Sequence, residues 1–247
     1  MRKPFIAGNW KMNMTRESGL ALVRGLIEKV SSVDQVEVAV CPPNVYLQEV
    51  AIAAQGSNVG VGGQNMYHEA EGAFTGEVSG PMLLDVGCKY VILGHSERRQ
   101  FFGETDKSVN TKMHAALKFG LTPIVCVGET LSEREANQTA TVIETQVRGS
   151  LASLSADQAE SSVIAYVPVW AIGTGKTATP AQAEEVHAQI RGLLSELFGA
   201  TTAEQIRIQY GGSVKPDNAA ELMSQLNIDG RLVGGSLFKS WIRSRPS

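Results

Sequence analysis

Residues 163–197 read VIAYVPVWAIGTGKTATPAQAEEVHAQIRGLLSEL, and they contain one complete strand–loop–helix unit. The unit opens with an apolar run over 163–169, which is typical of a parallel strand that is covered on both faces. The segment Thr179-Pro180-Ala181-Gln182 predicts a capping box with proline at the first helical position. Apolar residues then recur at helical spacing, at Ala183, Val186, Ile190, Leu193, Leu194 and Leu197.

Comparable apolar runs recur along the whole chain, and helical segments separate most of them. One helix is indicated by Leu20, Val23, Ile27 and Val30, and another is predicted to begin at Pro216. The runs predicted to be strands are 4–10, 36–41, 58–64, 90–94, 123–128, 163–169, 206–210 and 231–234.

Strands that alternate with helices predict an α/β fold with a parallel sheet. Eight strands are the number that closes a (β/α)8 barrel, and such a barrel typically needs about 250 residues. The chain has 247 residues and contains no linker or low-complexity tract, so a single domain over 1–247 is expected. A doubly wound open sheet is the alternative, because periodicity does not distinguish the two architectures.

Composition excludes several classes of protein. The net charge is -3 at pH 7, which gives no bulk attraction to nucleic acid or to an anionic membrane. No apolar run is long enough to span a bilayer, and the N-terminus lacks the apolar segment of a signal peptide. Cys41, Cys88 and Cys126 are widely spaced, so neither a disulfide framework nor a metal site is expected. A reducing, cytoplasmic location fits this cysteine pattern.

Two strand ends carry candidate catalytic side chains. Lys11 follows the first strand, either as a solvated loop charge or as an ammonium that holds an anionic substrate. His95 stands where the fourth strand passes into a predicted first helical turn. Backbone N–H groups there would donate to one ring nitrogen and disfavour imidazolium. Glu97 is a candidate for orienting Lys11, or belongs to an ordinary solvated turn.

The loop inside the opening unit contains two incomplete nucleotide-binding motifs. Gly175-Lys176-Thr177 resembles the end of a Walker A loop, but that motif needs glycine where Trp170 stands. Gly173 and Gly175, with Ala178, match the dinucleotide fingerprint, in which the helix begins among the glycines. Here the helix is predicted to begin later. The segment 166–178 is therefore interpreted as a hinged active-site lid.

Glycine pairs follow the seventh and eighth predicted strands, in Tyr210-Gly211-Gly212-Ser213 and Val233-Gly234-Gly235-Ser236. Each pair alone is compatible with a tight turn. Two pairs at neighbouring strand ends are more specific, because bare backbone amides can approach an anion closely there. Barrels commonly bind phosphate at these two loops.

Six separated motifs carry a family resemblance, and they are 9–11, 73–77, 94–99, 168–175, 210–213 and 233–235. In order and spacing they resemble the triosephosphate isomerase family from the N-terminus to about Gly235. The resemblance implies a TIM-barrel enzyme of glycolysis and gluconeogenesis. Such an enzyme interconverts dihydroxyacetone phosphate and D-glyceraldehyde 3-phosphate through an enediolate, without metal or cofactor.

The resemblance also assigns roles to residues. It implies that Asn9 and Lys11 contact the substrate, that His95 is the electrophile and that Glu97 supports the site. A homodimer is implied, in which the segment 64–80 inserts into the partner and Thr75 reaches the neighbouring active site. The phosphate would be held by Gly173, Ser213, Gly234 and Gly235, and the dimer contacts would include Phe74, Thr75, Glu77 and Arg98.

Two departures from the family pattern bear on function. Val167 occupies the position of the family's catalytic glutamate, and valine has no atom that can accept a proton. The chain also lacks the alanine that usually follows the second glycine pair in the family, and a last helix shorter than the family's is expected. The hypotheses are an isomerase that is severely impaired or uses a substitute base such as Glu97 or Glu129, a catalytically silent phosphate-binding barrel, or another barrel enzyme acting on a ribulose or indole glycerol phosphate. The lid and His95 motifs count against the third.

Overall fold

A computed structural model describes residues 2–172, 177–213 and 219–234 of the chain. The strands form one closed parallel barrel in the order β1 to β8, and the register of β1 against β8 closes the circle. This confirms the predicted TIM barrel and excludes the open sheet. The strands are β1 (Phe5–Asn9), β2 (Glu37–Cys41), β3 (Val59–Gly63), β4 (Tyr90–Leu93), β5 (Thr122–Val127), β6 (Val163–Tyr166), β7 (Arg207–Tyr210) and β8 (Gly230–Gly234).

Helices surround the barrel, and capping residues set several of their starts. Thr179 caps α9 with Gln182 in a capping box and Pro180 in the first turn, as the sequence predicts. Thr15 and Thr105 cap α1 and α5 in the same way. The helices are α1 (Arg16–Val30), α2 (Leu47–Ala54), α3 (Gly80–Asp85), α4 (Ser96–Phe102), α5 (Asp106–Phe119), α6 (Leu131–Glu135), α7 (Thr139–Ser150), α8 (Ala156–Glu160), α9 (Pro180–Phe198), α10 (Ala200–Ala203) and α11 (Ala219–Met223).

Two buried clusters explain why the strands read as continuous apolar runs. Successive side chains of a strand point to opposite faces. One set fills the barrel interior, while the other packs under the helices, so both faces must be apolar. In the segment 163–167, for example, Val163, Ala165 and Val167 belong to the inner cluster, and Ile164 and Tyr166 belong to the outer one.

The sixth strand is shorter than its apolar run predicts. β6 ends at Tyr166, and a 3-10 turn covers Val169–Ala171. Pro168 has no N–H to continue the ladder, so the remaining apolar residues turn away from the sheet. The predicted helix start at Pro216 lies outside the described residues, and α11 carries the expected Leu222 in the core. None of the described helices is long and apolar enough to cross a membrane.

Candidate active site

The inward-facing series of two strands ends at the carboxyl end of the barrel. On β1, Phe5 and Ala7 face inward, and Asn9 is the next residue in that alternation. The inward series of β6 continues one residue past the strand to Val167, which is 1% exposed. The interior of this end is where catalytic groups of TIM barrels lie. At this end of the barrel, the position after β6 is filled by the apolar side chain of Val167.

Lys11 is held in an uncommon backbone conformation beside Asn9. Its φ is 52°, in the left-handed region, and its N–H donates to Asn9 Oδ1 at 3.0 Å. Gln64 Nε2 donates to Lys11 O at 2.9 Å and to Cys41 O at 2.9 Å, which ties this turn to the neighbouring strands. These bonds compensate the strain of a non-glycine residue at positive φ.

The ammonium of Lys11 forms an ion pair with Glu97, since Nζ lies 2.5 Å from Glu97 Oε1. Glu97 lies in the first turn of α4, so the pair joins β1 to the helix that follows β4. This ion pair favours the interpretation that Glu97 orients Lys11 over the interpretation that it belongs to an ordinary solvated turn. The lysine side chain is 22% exposed, which keeps its charge accessible to a ligand.

His95 is the N-cap residue of α4, and its ring is 93% buried. The N–H of Glu97 donates to Nδ1 at 3.3 Å, which leaves Nε2 to carry the proton of the neutral ring. Burial is the main cause that lowers the pKa of His95 to about 4, and the charge of Lys11 acts in the same direction. The Glu97 carboxylate, 3.4 Å away, favours the charged ring but is outweighed. At neutral pH the ring is a hydrogen-bond donor without charge.

Arg99 braces the turn that carries His95. Its Nε donates to Gly94 O at 2.8 Å, and its Nη2 donates to Cys126 O at 3.3 Å. Nη1 forms an ion pair with Asp106 at 2.6 Å. The guanidinium thus joins β4, β5 and α5 behind the histidine, rather than pointing into solvent.

The predicted phosphate-binding residues are only partly covered by the described chain. A β-carbon on Gly234 would lie 4.0 Å from Lys11 Nζ, so the end of β8 adjoins the ammonium. The N–H of Ser213 donates to Ala171 O at 3.0 Å, which engages it with the start of the lid. Gly173 and Gly235 lie outside the described residues.

The first part of the predicted lid is anchored on Glu129, which is fully buried in the loop after β5. Trp170 Nε1 donates to Glu129 Oε1 at 2.8 Å, and Tyr166 OH donates to the same oxygen at 3.1 Å. Arg134 pairs with that oxygen at 3.2 Å and stacks over the Trp170 ring. The sequence gives no direct signal for this anchor, because the partners come from two segments that are distant in the chain, 129–134 and 166–170.

Comparisons with known proteins identify the family of the chain. A model of the triosephosphate isomerase family matches residues 4–241. The chain belongs to the triosephosphate isomerase family. Triosephosphate isomerase of Rhodopirellula baltica is 62% identical over 238 residues, covering 96% of this chain and 94% of the relative. That of Carboxydothermus hydrogenoformans is 59% identical over 239 residues, covering 97% and 95%. The family is one of isomerases, and the match spans both the Lys11 and the His95 segments.

The loop 64–80 closes on itself at its stem and exposes its tip. Tyr67 N–H donates to Val78 O at 2.8 Å, and the Tyr67 ring packs on Phe74 with centroids 4.5 Å apart. Met66 differs from the expectation for a protruding loop, because it is buried in the core of its own barrel. Arg98 pairs with Glu104 at 2.9 Å within the chain. The exposed tip contains Phe74, Thr75 and Glu77.

Proposed function

We propose that this chain binds triose phosphates at the carboxyl end of its barrel and that Val167 makes their isomerisation very slow. The reaction would interconvert dihydroxyacetone phosphate and D-glyceraldehyde 3-phosphate through an enediolate, without metal or cofactor. One observation carries the proposal. Lys11, His95 and Glu97 stand as a connected set, while the inward position that ends β6 holds valine.

In this proposal Lys11 and His95 stabilise negative charge. The Lys11 ammonium attracts the phosphate and the developing enediolate, and Glu97 fixes its position. Neutral His95 donates from Nε2 to the substrate oxygens as charge develops on them. Gly234 leaves space beside Lys11 for a phosphate oxygen, and the Ser213 amide becomes available when it leaves Ala171. Gly173 and Gly235 complete the proposed phosphate contacts.

The missing step is removal of the substrate proton from carbon. A positioned general base typically contributes about 10²–10⁴-fold, or about 3–5 kcal/mol of barrier. Val167 contributes none of this, and its methyl groups desolvate the position that a carboxylate or water would occupy. The charge stabilisation by Lys11 and His95 does not depend on residue 167, so some acceleration over the reaction in water remains.

The test compares kcat/KM of this chain with that of Val167→Glu and Val167→Gln, purified from a host without its own isomerase. We expect Val167→Glu to raise kcat by about 10²-fold or more with little change in KM. Val167→Gln has similar size without a base and should stay near the present chain. Equal values for the chain and Val167→Glu would show that residue 167 is not the base position.

A catalytically silent ligand-binding barrel is the second candidate. It is favoured by the full burial of Val167 among apolar neighbours, which gives water no place to act as the base. Calorimetric binding of a phosphate monoester with no turnover above the solution rate would support it. Turnover clearly above that rate would favour the impaired isomerase.

We further propose that the protein works as a homodimer in the cytoplasm. The dimer is supported by large apolar side chains exposed in the segments that follow β1, β2 and β3 and in α4. The cytoplasmic location is supported by the free, buried thiols of Cys41, Cys88 and Cys126. The apolar residues, with their exposed fractions, are Met12 (95%), Val45 (80%), Phe74 (39%), Met82 (54%), Phe101 (68%) and Phe102 (68%).

A further inference from the structure

We propose that the guanidinium of Arg231 holds a small monovalent anion, such as chloride, in the layer between the barrel wall and its helices. The site lies outside β7 and β8 and uses none of Lys11, His95 or Glu97, so it is independent of the proposed function. The anion that it takes is a halide or an ion of similar size, and its binding stabilises the fold.

Arg231 is the charged residue of β8, which reads Gly-Arg-Leu-Val-Gly over Gly230–Gly234. Leu232 belongs to the inner cluster and Val233 to the outer one, so the alternation along a strand places Arg231 on the outer face. That face packs under the helices, and Arg231 is only 8% exposed. A cation therefore lies in a layer that is filled mainly by apolar side chains.

The neighbours of Arg231 in the sheet bring no negative charge, since its partners in register are Ile6 of β1 and Tyr210 of β7. Within the ranges that the structure describes, no acceptor receives the buried Nε–H of Arg231 and no carboxylate acts on its charge. Burial lowers the pKa of Arg231 to about 10, and the nearby Tyr210 acts in the opposite direction. The guanidinium therefore stays charged at neutral pH.

This burial of charge determines the class of ligand. Taking an ion out of water carries a large penalty, which an opposite charge in contact with it offsets. A water molecule could accept the Nε–H of Arg231, but it would leave the net charge in place. One guanidinium is balanced by one negative charge, whereas a dianion would bring an unbalanced charge into the same layer. The enclosed position favours a small ion over an organic acid.

Tyr210 supplies a second donor on the neighbouring strand. Its hydroxyl is buried, and the described residues give its O–H no hydrogen-bond acceptor. Burial raises the pKa of Tyr210 to about 12, against the effect of the Ala178 N–H, so the hydroxyl keeps its proton at neutral pH. An N–H can only donate to the hydroxyl oxygen, which leaves the O–H itself as a donor. An anion accepts from both the Arg231 guanidinium and this hydroxyl.

The experiment measures thermal unfolding of the full chain while sodium gluconate is replaced by sodium chloride up to about 200 mM, at constant ionic strength so that general screening is unchanged. We expect the Tm to rise by about 3 °C or more, because an anion that binds only the folded state stabilises it. Arg231→Met keeps an unbranched side chain without the charge, and it should lose this rise. The control Arg148→Met, which removes an exposed arginine from α7, should keep the rise. Lys11→Met should also keep it, which separates this site from the ammonium at the carboxyl end of the barrel.

A second measurement does not depend on whether the Arg231→Met variant folds. Crystals of the unmodified chain grown in sodium bromide should show anomalous scattering from a bromide ion in contact with the Arg231 guanidinium. The proposal is overturned by a rise in Tm smaller than about 3 °C, by an equal rise in Arg231→Met, or by crystals without bromide at Arg231. A rise that disappears in Lys11→Met and persists in Arg231→Met would also overturn it, because the anion would then bind at the site of the proposed function.

Discussion

Val167 packs so closely against Gly211 that a β-carbon on Gly211 would stand 2.6 Å from Val167 Cγ2. The same β-carbon would lie 3.3 Å from Tyr166 O, which accepts the Gly211 N–H at 2.7 Å. The backbone of β7 and the side chain at residue 167 therefore share one space. Glycine at residue 211, directly after β7, leaves room for the side chain of residue 167 at the barrel end.

This contact predicts that Gly211→Ala destabilises the protein. The added methyl overpacks a site that cannot yield without moving Val167 or β6, at a cost of about 1–3 kcal/mol. Gly192→Ala is the matched control, because Gly192 is exposed within α9 and a β-carbon there meets nothing within 4 Å. The free energy of unfolding of this control should rise by about 0.5–1 kcal/mol, because alanine is more stable than glycine within a helix. Urea unfolding of both variants checks this, and equal midpoints would contradict the overlap.

Glu37 holds a charge network at the amino end of the barrel. It accepts hydrogen bonds from Tyr90 OH and Arg207 Nη1, and Lys89 Nζ lies 3.2 Å away. Burial alone raises the pKa of Glu37, but these three partners outweigh it and lower the pKa to about 2. The folded state therefore favours the ionised carboxylate.

The sign of the pH effect follows from this depressed pKa. The contribution of Glu37 to the free energy of unfolding is fully present above the pKa of the unfolded state, about 4.3. It is lost as the pH falls through the pKa of the folded state. Glu37→Gln should lower the free energy of unfolding by on the order of 2–3 kcal/mol at pH 7, and by less at pH 3. Glu160→Gln, an exposed control, should stay within about 0.5 kcal/mol. Chemical unfolding at both pH values provides the measurement, and a Glu37→Gln deficit that does not shrink on acidification would refute the network.

The barrel was predictable because its signal repeats in every unit. Parallel strands buried on both faces read as apolar runs, and helices with caps such as Thr179 separate them. The strand boundaries were predicted less accurately than the strands themselves. β6 ends at Tyr166, whereas its apolar run continues to Val169. An apolar run indicates burial rather than secondary structure, and residues 167–171 are largely buried although they do not belong to a strand.

The connections that build the site were less visible in the sequence. Gln64 supports the Lys11 turn, Arg99 joins β4 to β5, and Glu129 anchors Trp170. Each bond joins positions that are distant along the chain, and a single sequence contains no pairing signal for them. Strand ends predicted that Lys11 and His95 lie at one end of the barrel, because parallel strands place their carboxyl ends together. The hydrogen-bonding partners of these residues are visible only in the three-dimensional structure.

The exposed tip of the 64–80 loop predicts a dimer that depends on Thr75. At micromolar concentration the protein should sediment as a dimer, and Thr75→Arg should shift it toward monomer, because a bulky charge would have to be buried in the interface. Leu226→Asp is the control, since Leu226 is 81% exposed and lies before β8, at the opposite end of the barrel. Sedimentation of the unmodified chain as monomer alone would refute the dimer, and equal behaviour of the two variants would move the interface elsewhere.

Glu129 follows β5, the strand that pairs with β6, and is a candidate to replace the missing base, but its contacts argue against that role. Three donors, from Trp170, Tyr166 and Arg134, converge on Oε1, so the group is committed to the start of the lid. Glu129→Gln should therefore destabilise the protein by about 1–3 kcal/mol, because a charged acceptor of buried donors is lost. Residual isomerisation at 25 °C should fall by less than about threefold, since no proton is taken by this residue.

The matched control for that variant is Glu135→Gln, which removes an exposed carboxylate from α6 close to the same loop. It should change neither stability nor residual turnover. The discriminating measurement is single-turnover isomerisation under conditions where both variants are fully folded, as monitored by far-ultraviolet circular dichroism. A loss of 10²-fold or more in Glu129→Gln alone, with the fold intact, would identify Glu129 as a substitute base, because only a group that takes the proton contributes that much. A small loss together with lower stability would place Glu129 in the lid anchor, and the present chain would then retain only charge stabilisation from Lys11 and His95.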